Sequence, residues 1–307
     1  MPEQRYGIGT AALAVPYGPP GEQRAAPDAS SALRTLAAAA ARGLRFVDTA
    51  PAYGDAELLV GAALGACADC VIATKLAIPA GGWHLLSPGT TRAHVRASAE
   101  ASLRALRRTR LDVLQVHNAD EQLIRRGAVA DALAELQAAG LVARAGATVY
   151  GESAALAAID CPVFELVQVA YSVLDRRAEQ RVLPTAARAG TSVIARSLLL
   201  HGVLSPAALT LDVNGPFAPL RHAAGAVRVA LGASWEELPG AAAAFAASRP
   251  GISCALLGPR NETELTALLD QAERFAVAAA SFALPAPQLA AELLDPSQWP
   301  QEAHVGG

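Results

Sequence analysis

The stretch 46–75, which reads FVDTAPAYGDAELLVGAALGACADCVIATK, decides the fold. Two short apolar segments, 44–47 and 70–74, have the composition of β-strands and end beside charged residues, Asp48 and Lys75. Turn residues follow the first segment, and a pattern of apolar residues at spacings of three and four then predicts a helix. This order of strand, turn, helix and strand predicts a βαβ unit, in which both strands end at the same face of a parallel sheet.

Outward from this unit, the chain repeats the same alternation of strand and helix. Strand candidates lie at 6–13, 44–47, 70–74, 113–116, 142–147, 166–169, 192–195 and 252–257. Helical patterns follow at 30–41 with a cap at Ser30 or Ser31, and at 58–63, 91–107, 131–139, 153–159, 182–189, 235–248 and 262–271. A chain of 307 residues with this alternation predicts a single-domain α/β protein, a (β/α)8 TIM barrel.

Two further features complete this prediction. An irregular insertion covers about 200–231, and a tail from about 287 to 307 is expected to pack across the outside or the loop face. The rival architecture is a doubly wound open sheet, but no point in the chain marks a reversal of strand order. The opening Gly7-Ile8-Gly9-Thr10-Ala11-Ala12 resembles a dinucleotide fingerprint, yet the proline-rich segment after it cannot form the required helix.

Composition excludes several classes of partner. The net charge is −3 with both signs interspersed, which gives no basic surface for nucleic acid. The first residues carry no apolar signal core, and the longest uncharged stretch, 275–291, contains Pro285 and Pro287 and is too short to span a membrane. We therefore expect a cytoplasmic protein that acts on a small molecule, without a nucleic-acid or membrane partner.

The chain has four cysteines, too few for a disulfide framework at this length. Cys67 and Cys70 form a CxxC, but no second pair accompanies them and Cys70 falls within a predicted strand. We expect simple packing for these side chains. No HExxH or paired metal-ligand spacing is present, so the sequence predicts no metal site.

Polar residues cluster where the predicted strands end, at Asp48 with nearby Tyr53, Lys75, His117, Asn118, Thr148, Gln168, Arg196, Ser197 and Arg260. In a barrel these strand ends meet at one mouth, where catalytic residues lie. For any one of these residues taken alone, turn capping or loop solvation is an alternative role. Lys75 stands out because it is the only lysine among 25 lysine and arginine residues.

The residue types around Lys75 indicate proton transfer to an oxygen. A phenol is a poor acid with a pKa near 10, but a neighbouring ammonium stabilises the phenolate, and a carboxylate can hold the ammonium in place. Tyr53, Lys75 and Asp48 have these types, and His117 could orient a carbonyl oxygen by a hydrogen bond. No serine or cysteine nucleophile is indicated.

These motifs also carry a family resemblance. Phe46-Val47-Asp48-Thr49-Ala50-x-x-Tyr53-Gly54-x-x-Glu57-x-x-x-Gly61, then Ala73-Thr74-Lys75 and Val116-His117-Asn118, resemble the aldo-keto reductase superfamily. The start at Gly9-Thr10 with Tyr17-Gly18 is similar to a bacterial branch. The resemblance implies a barrel that uses NADPH, with Tyr53 as general acid to a carbonyl, Lys75 and Asp48 tuning it, and His117 positioning the substrate. The cofactor would deliver hydride to the carbonyl carbon.

The resemblance also implies a set of cofactor contacts: Gly9, Thr10, Asp48, Thr148, Gln168, Arg196, Ser197, Leu198, Gly202, Gly258, Arg260 and Glu264. Gln168 matches the carboxamide contact, while Thr148 and Val149 replace the more usual serine and asparagine. Arg196 or Leu198 lies where many relatives place an aromatic ring against the nicotinamide. Arg260, at a helix start, suits a 2′-phosphate, which favours NADPH over NADH.

The substrate is less well defined. Trp83, Asn118 and Tyr171 are candidate contacts, although Trp83 could equally pin its loop to the barrel. A small or sugar-like aldehyde or ketone is the class that the resemblance implies. Two alternative functions use the same barrel: a cofactor-binding regulatory or partner-binding protein, and an alcohol or sugar dehydrogenase that works in the reverse direction.

Overall fold

A computed structural model describes residues 5–19, 22–281 and 288–299. Parallel strands close into one barrel in sequence order, from β1 to β8 and back to β1. They are β1 (Tyr6–Gly9), β2 (Phe46–Asp48), β3 (Val71–Lys75), β4 (Leu111–Ala119), β5 (Val142–Val149), β6 (Phe164–Ala170), β7 (Ser192–Arg196) and β8 (Cys254–Leu257). The predicted (β/α)8 barrel is therefore confirmed.

The helices lie between and after the strands along the chain. They are α1 (Ala11–Ala14), α2 (Ala29–Ala41), α3 (Ala56–Leu64), α4 (Pro88–Leu106), α5 (Glu121–Arg126), α6 (Ala128–Ala138), α7 (Glu152–Asp160), α8 (Val182–Ala189), α9 (Ala218–Ala230), α10 (Leu238–Ala247) and α11 (Glu262–Ala280). No helix in the described part of the chain is long and apolar enough to cross a membrane.

The strands are buried on both faces, so the apolar core has two layers. The inner layer fills the barrel with Phe46, Ala73, Val113, Leu166, Ile194, Cys254 and Leu256. The outer layer packs the other strand face against the helices, largely through alanines that let helix and sheet approach closely. At Gly61 of α3, an added Cβ would lie 2.1 Å from the carbonyl oxygen of Ala105 in α4, so this crossing requires glycine.

The structure corrects several details of the prediction. Asp28, not Ser30 or Ser31, caps α2, because its carboxylate accepts the Ser31 N–H at 2.9 Å. A single helical turn, α1, follows β1 before the chain turns extended at Val15, next to Pro16. The segment 200–231 is not irregular throughout: it contains α9, which starts with Pro219 in its first turn, where a proline costs no hydrogen bond.

Two cysteines also differ from expectation. Cys67 and Cys70 form a disulfide in the turn between α3 and β3, whereas the sequence predicted simple packing. Their Cα atoms lie 5.4 Å apart, within the range that a disulfide can bridge. The guanidinium of Arg108 donates to the carbonyl oxygen of Cys67 at 2.6 Å, which fixes the turn from outside.

Candidate active site

A buried ion pair lies at the carboxyl ends of β2 and β3. The Nζ atom of Lys75 donates to Oδ2 of Asp48 at 2.7 Å and to the carbonyl oxygen of Thr49 at 2.8 Å. Lys75 is 1% exposed and Asp48 is 3% exposed, so water does not screen the pair. Parallel register places Asp48 opposite Ala73, two residues before Lys75, which is why the side chains converge.

Two glutamine amides hold the other oxygen of the Asp48 carboxylate. Oδ1 accepts from Nε2 of Gln168 in β6 at 2.7 Å and from Nε2 of Gln115 in β4 at 3.3 Å. Both glutamines are buried. With Lys75 on Oδ2, each oxygen of the carboxylate therefore accepts from a buried donor. The Oε1 atom of Gln168 is buried and has no partner among the described residues, so it can accept a hydrogen bond from a ligand.

Tyr53 lies above this pair, in the turn that follows β2. The Tyr53 N–H donates to the carbonyl oxygen of Ala50, and Gly54 has a φ of 55°, which lets the chain turn sharply into α3. The Nζ atom of Lys75 lies 4.8 Å from the Tyr53 ring centroid. The ring of His117 meets the Tyr53 ring edge-on at 5.9 Å. The structure therefore brings Asp48, Tyr53, Lys75 and His117 together.

The charges at this site are set by burial and by each other. Burial by itself lowers the pKa of Lys75, but the nearby Asp48 carboxylate and Tyr53 phenol outweigh it and leave this pKa above its usual value. Burial, followed by the Lys75 charge, lowers the pKa of His117 to about 4. Lys75 is therefore an ammonium and His117 a neutral imidazole at neutral pH.

The rim beside His117 is formed by Asn118 and Thr148. Asn118 has a φ of 51°, an uncommon conformation that asparagine tolerates better than most residues. The Thr148 hydroxyl oxygen accepts the Asn118 N–H at 2.8 Å and so holds this backbone turn in place. Thr148 thus supports the mouth through the backbone of the neighbouring strand, a role that sequence reasoning did not anticipate.

At the end of β7, the Arg196 side chain turns back over the end of β5. Its Nη2 atom donates to the carbonyl oxygen of Val149 at 3.0 Å, and its Cζ atom lies 4.2 Å from the ring centroid of Tyr150. The guanidinium thus stacks on a ring that the sequence analysis did not single out. The available signal was the position of Tyr150 directly after β5.

The loop after β7 has an unusual backbone. Ser197, Leu200 and His201 have φ values of 59°, 44° and 52°, and Gly202 has a φ of 95°. Residues other than glycine rarely adopt such angles, which cost of order 1–3 kcal/mol each and cluster at functional sites. Leu198 is buried as a whole residue, so it offers little surface to a ligand.

The β8 end of the mouth carries the remaining cofactor candidates. Nη2 of Arg260 donates to the carbonyl oxygen of Ala25 at 2.8 Å, and its Nε atom is buried without a partner among the described residues. The Arg260 N–H donates to the Glu264 carboxylate, so Glu264 organises the start of α11. At Gly258, the space where a Cβ would point is open. Thr10, directly after β1, donates its hydroxyl to the Asp48 carbonyl oxygen.

Two substrate candidates contact other parts of the protein. Trp83 is buried, and its ring meets His94 of α4 edge-on at 5.3 Å, so it pins its loop to the helix layer. Tyr171 donates its hydroxyl to Glu179 and stacks on Phe245 of α10. Burial and the Glu179 carboxylate raise the pKa of Tyr171 above its usual range. The structure does not join these two residues to the cluster around Tyr53.

An aromatic cluster on the loop face was not anticipated. Tyr17 stacks on His201 at 4.4 Å, His201 meets Trp299 at 5.8 Å, and Trp299 meets Phe217 at 5.3 Å. The cluster joins the loop after β1, the insertion and the tail, so the described part of the tail packs on the loop face. Within the predicted tail, residues 287 and 300–307 lie outside the described residues.

A closed barrel with a charged, partly buried site at the carboxyl ends of its strands defines the class of (β/α)8-barrel enzymes. A model of the Aldo/keto reductase family matches residues 6–283. The chain therefore belongs to this family, whose members are oxidoreductases that act on carbonyl or alcohol groups with nicotinamide cofactors.

Individual relatives agree with this assignment. The chain is 28% identical over 208 residues to the aldo-keto reductase YhdN of Bacillus subtilis, a match that covers 66% of this chain and 60% of that relative. It shares a TM-score of 0.71 at 21% identity with aldo-keto reductase AKR11C1 from Bacillus halodurans in its holo form, over 92% of this chain and 93% of that one.

A second solved structure extends the likeness in fold. The glycerol dehydrogenase AKR11B4 from Gluconobacter oxydans has a TM-score of 0.67 at 21% identity, over 95% of this chain and 96% of that one. Both structural matches are distant in sequence and show the shared barrel.

Proposed function

We propose that this protein is an NADPH-dependent reductase of small aldehydes or ketones, with Tyr53 as the general acid. One observation carries the proposal: the only lysine of the chain is buried between the Asp48 carboxylate and the Tyr53 ring, with His117 edge-on to the same ring. A structural lysine would gain little from this position, because burying an ammonium costs several kcal/mol before its partner compensates.

Asp48, Tyr53, Lys75 and His117 each have a separate role in the proton transfer. Tyr53 gives its hydroxyl proton to the carbonyl oxygen of the substrate as that oxygen gains negative charge. The Lys75 ammonium stabilises the negative charge that develops on the Tyr53 oxygen, and Asp48 fixes the ammonium. His117, neutral at working pH, hydrogen-bonds to the substrate oxygen and orients it without competing as an acid.

The site has features that fit a nicotinamide cofactor. The buried, unpartnered Oε1 of Gln168 can accept a hydrogen bond from the carboxamide group. The strained backbone from Ser197 to Gly202 can hold the pyrophosphate, and Arg260 at the start of α11 can hold a 2′-phosphate. When bound, the cofactor supplies the hydride.

The same four residues can also catalyse the reverse reaction, the oxidation of an alcohol. If the Tyr53 oxygen first loses its proton, it can accept the proton of an alcohol, so the same residues support alcohol oxidation. The ratio of reduced to oxidised cofactor decides the net direction. The half-buried Tyr53 ring and the aromatic cluster of Tyr17, His201, Trp299 and Phe217 suit a small substrate with apolar surface.

The loss of NADPH absorbance with a panel of small aldehydes, ketones and sugars tests this proposal. Tyr53→Phe is expected to reduce kcat by about 10²- to 10⁴-fold, the usual contribution of a general acid, with the fold retained. Tyr6→Phe, at the first residue of β1 and at the opposite end of the barrel from the mouth, is the matched control and should keep kcat within a few-fold. Unchanged turnover in Tyr53→Phe would defeat the assignment of the acid.

A further inference from the structure

Arg196 places a positive charge at the mouth of the barrel, at the end of β7. Its hydrogen bonds run to the Val149 carbonyl oxygen at 3.0 Å and, weakly, to the Ser197 hydroxyl at 3.4 Å. Among the residues that the structure describes, no carboxylate forms an ion pair with it. Lys75, a second cation at the mouth, has the Asp48 carboxylate as its partner, so the two cations differ in their pairing.

The Tyr150 ring fixes where this charge lies. The guanidinium stacks on that ring at 4.2 Å, an arrangement that suits the flat, weakly hydrated group. Burial is the main cause of the lowered pKa of His201, and the Arg196 charge adds to it. At His117 burial and then the Lys75 charge lower the pKa most, and the Arg196 charge adds a smaller effect. The charge is therefore felt across the mouth, on the catalytic side as well as the insertion side.

The neighbouring strand supplies the second observation. Gln168 lies in β6, whose residue Ala170 pairs with Arg196, and the Oε1 atom of Gln168 is buried without a partner among the described residues. A nicotinamide carboxamide held by this oxygen would lie beside β7, the strand that ends at Arg196. A guanidinium beside the nicotinamide ring interacts differently with its two redox states, because the oxidised ring is a cation and the reduced ring is neutral.

Building on the proposed function, we infer that Arg196, held by Tyr150, is a specificity-determining residue that makes the site select reduced over oxidised cofactor. The reduced ring offers a neutral π-face to the guanidinium, which is favourable, whereas the oxidised ring meets a like charge. An aromatic side chain at this place would stack on both states. By thermodynamic linkage, the same preference makes the bound oxidised cofactor a stronger hydride acceptor than it is in water.

The test is the ratio of two dissociation constants, Kd for NADP⁺ divided by Kd for NADPH, measured by calorimetry or fluorescence titration with the full-length protein. Arg196→Gln is expected to shrink this ratio about tenfold, equal to about 1.4 kcal/mol, chiefly by tightening NADP⁺. Arg196→Lys keeps the charge and should keep most of the ratio. Tyr150→Leu frees the guanidinium and should lower the ratio part of the way.

Arg260→Gln is the matched control. NADP⁺ and NADPH carry the same 2′-phosphate, so both should bind more weakly and the ratio of their dissociation constants should stay unchanged. The inference is overturned if Arg196→Gln leaves the ratio within twofold of the unmutated protein, or if Arg196→Lys loses it as fully as Arg196→Gln. Melting temperatures establish that each variant is folded. If the unmutated protein binds neither cofactor, the proposed function itself fails, which is a distinct result from binding with an unchanged ratio.

Discussion

The two halves of the barrel mouth differ in how their charges are paired. On the side of β2, β3 and β4, the Asp48 carboxylate and the Lys75 ammonium satisfy each other within a buried network of amides. On the side of β7 and β8, Arg196 stacks on a ring and Arg260 keeps a buried nitrogen without a partner among the described residues. We call the first the paired half, because its ion pair finds both partners within the protein. We call the second the open half, because Arg196 and Arg260 form no ion pair with a described residue.

The largest expected effect lies in the paired half. Lys75→Met leaves the Asp48 carboxylate buried without its cation, which should lower the free energy of unfolding by about 3–5 kcal/mol in urea titrations. Arg92→Met, which breaks the exposed pair of Arg92 with Glu135 at 2.8 Å, is the control and should cost about 0–1 kcal/mol. Similar losses for both variants would contradict the contrast between a buried and a screened pair.

A second variant at the same position separates charge from shape. Lys75→Arg keeps a cation beside Asp48, so it should be more stable than Lys75→Met. It should still be about 1–3 kcal/mol less stable than the unmutated protein, because a larger side chain must fit into a packed site. Carbonyl reduction should still fall at least about tenfold, because a planar guanidinium cannot reproduce the compact charge near Tyr53. Full activity in this variant would show that the point charge is unnecessary.

The next effect concerns pH and His117. Its pKa is lowered to about 4 in the folded protein, while the unfolded chain has a value of about 6.5. Between these values the unfolded chain binds a proton that the folded protein does not, so the free energy of unfolding falls as pH drops from about 6.5 to 4. The loss should be of order 1–3 kcal/mol, and His117→Asn should reduce it.

The exposed His84 supplies the control for this pH experiment. His84→Asn should leave the dependence of unfolding on pH as it is in the unmutated protein. His201, whose pKa burial and Arg196 also lower to about 4, should contribute a second share of the acid sensitivity. An identical pH dependence in His117→Asn and the unmutated protein would argue against a neutral, buried imidazole.

The smallest expected effect lies in the open half, at Arg260. Arg260→Ala should weaken NADPH about tenfold, or about 1.4 kcal/mol, and leave NADH nearly unchanged, because only NADPH carries the 2′-phosphate. The control is Arg274→Ala, which removes a guanidinium within α11 that pairs with Glu237 and should affect neither cofactor. Equal weakening of both cofactors by Arg260→Ala would remove the 2′-phosphate role.

The paired half was also the more predictable half. The clustering of Asp48, Tyr53, Lys75 and His117 was predictable because each follows a clear apolar pattern of a strand, and parallel strands end together. His117 was expected to follow its strand, whereas β4 continues to Ala119. Gln115 was missed, since a glutamine within an apolar strand gives no sign of which carboxylate its amide will meet. The helix α9 was missed because Pro219 and Gly225 interrupt the pattern that predicts a helix.

The open half shows where sequence reasoning stops. The stacking of Arg196 on Tyr150 depends on the direction in which a long, flexible side chain turns, and that direction is set by the Val149 carbonyl oxygen, 47 positions away in the chain. Likewise, the sequence suggested Trp83 and Tyr171 as substrate contacts, while packing placed their rings against His94 and Phe245. Such side-chain contacts depend on which residues lie close together in the folded protein, and local sequence patterns do not contain that information.

By itself the sequence determined the alternation of strands and helices and the kinds of side chain at each strand end. Both follow from local rules, because side-chain periodicity and turn residues act over a few positions. Only the tertiary structure decided which charges are buried together and which stay open, such as Lys75 on Asp48 and Arg196 without a carboxylate among the described residues. Closing the barrel sets those distances, and electrostatic energies depend on distance and burial more than on residue type.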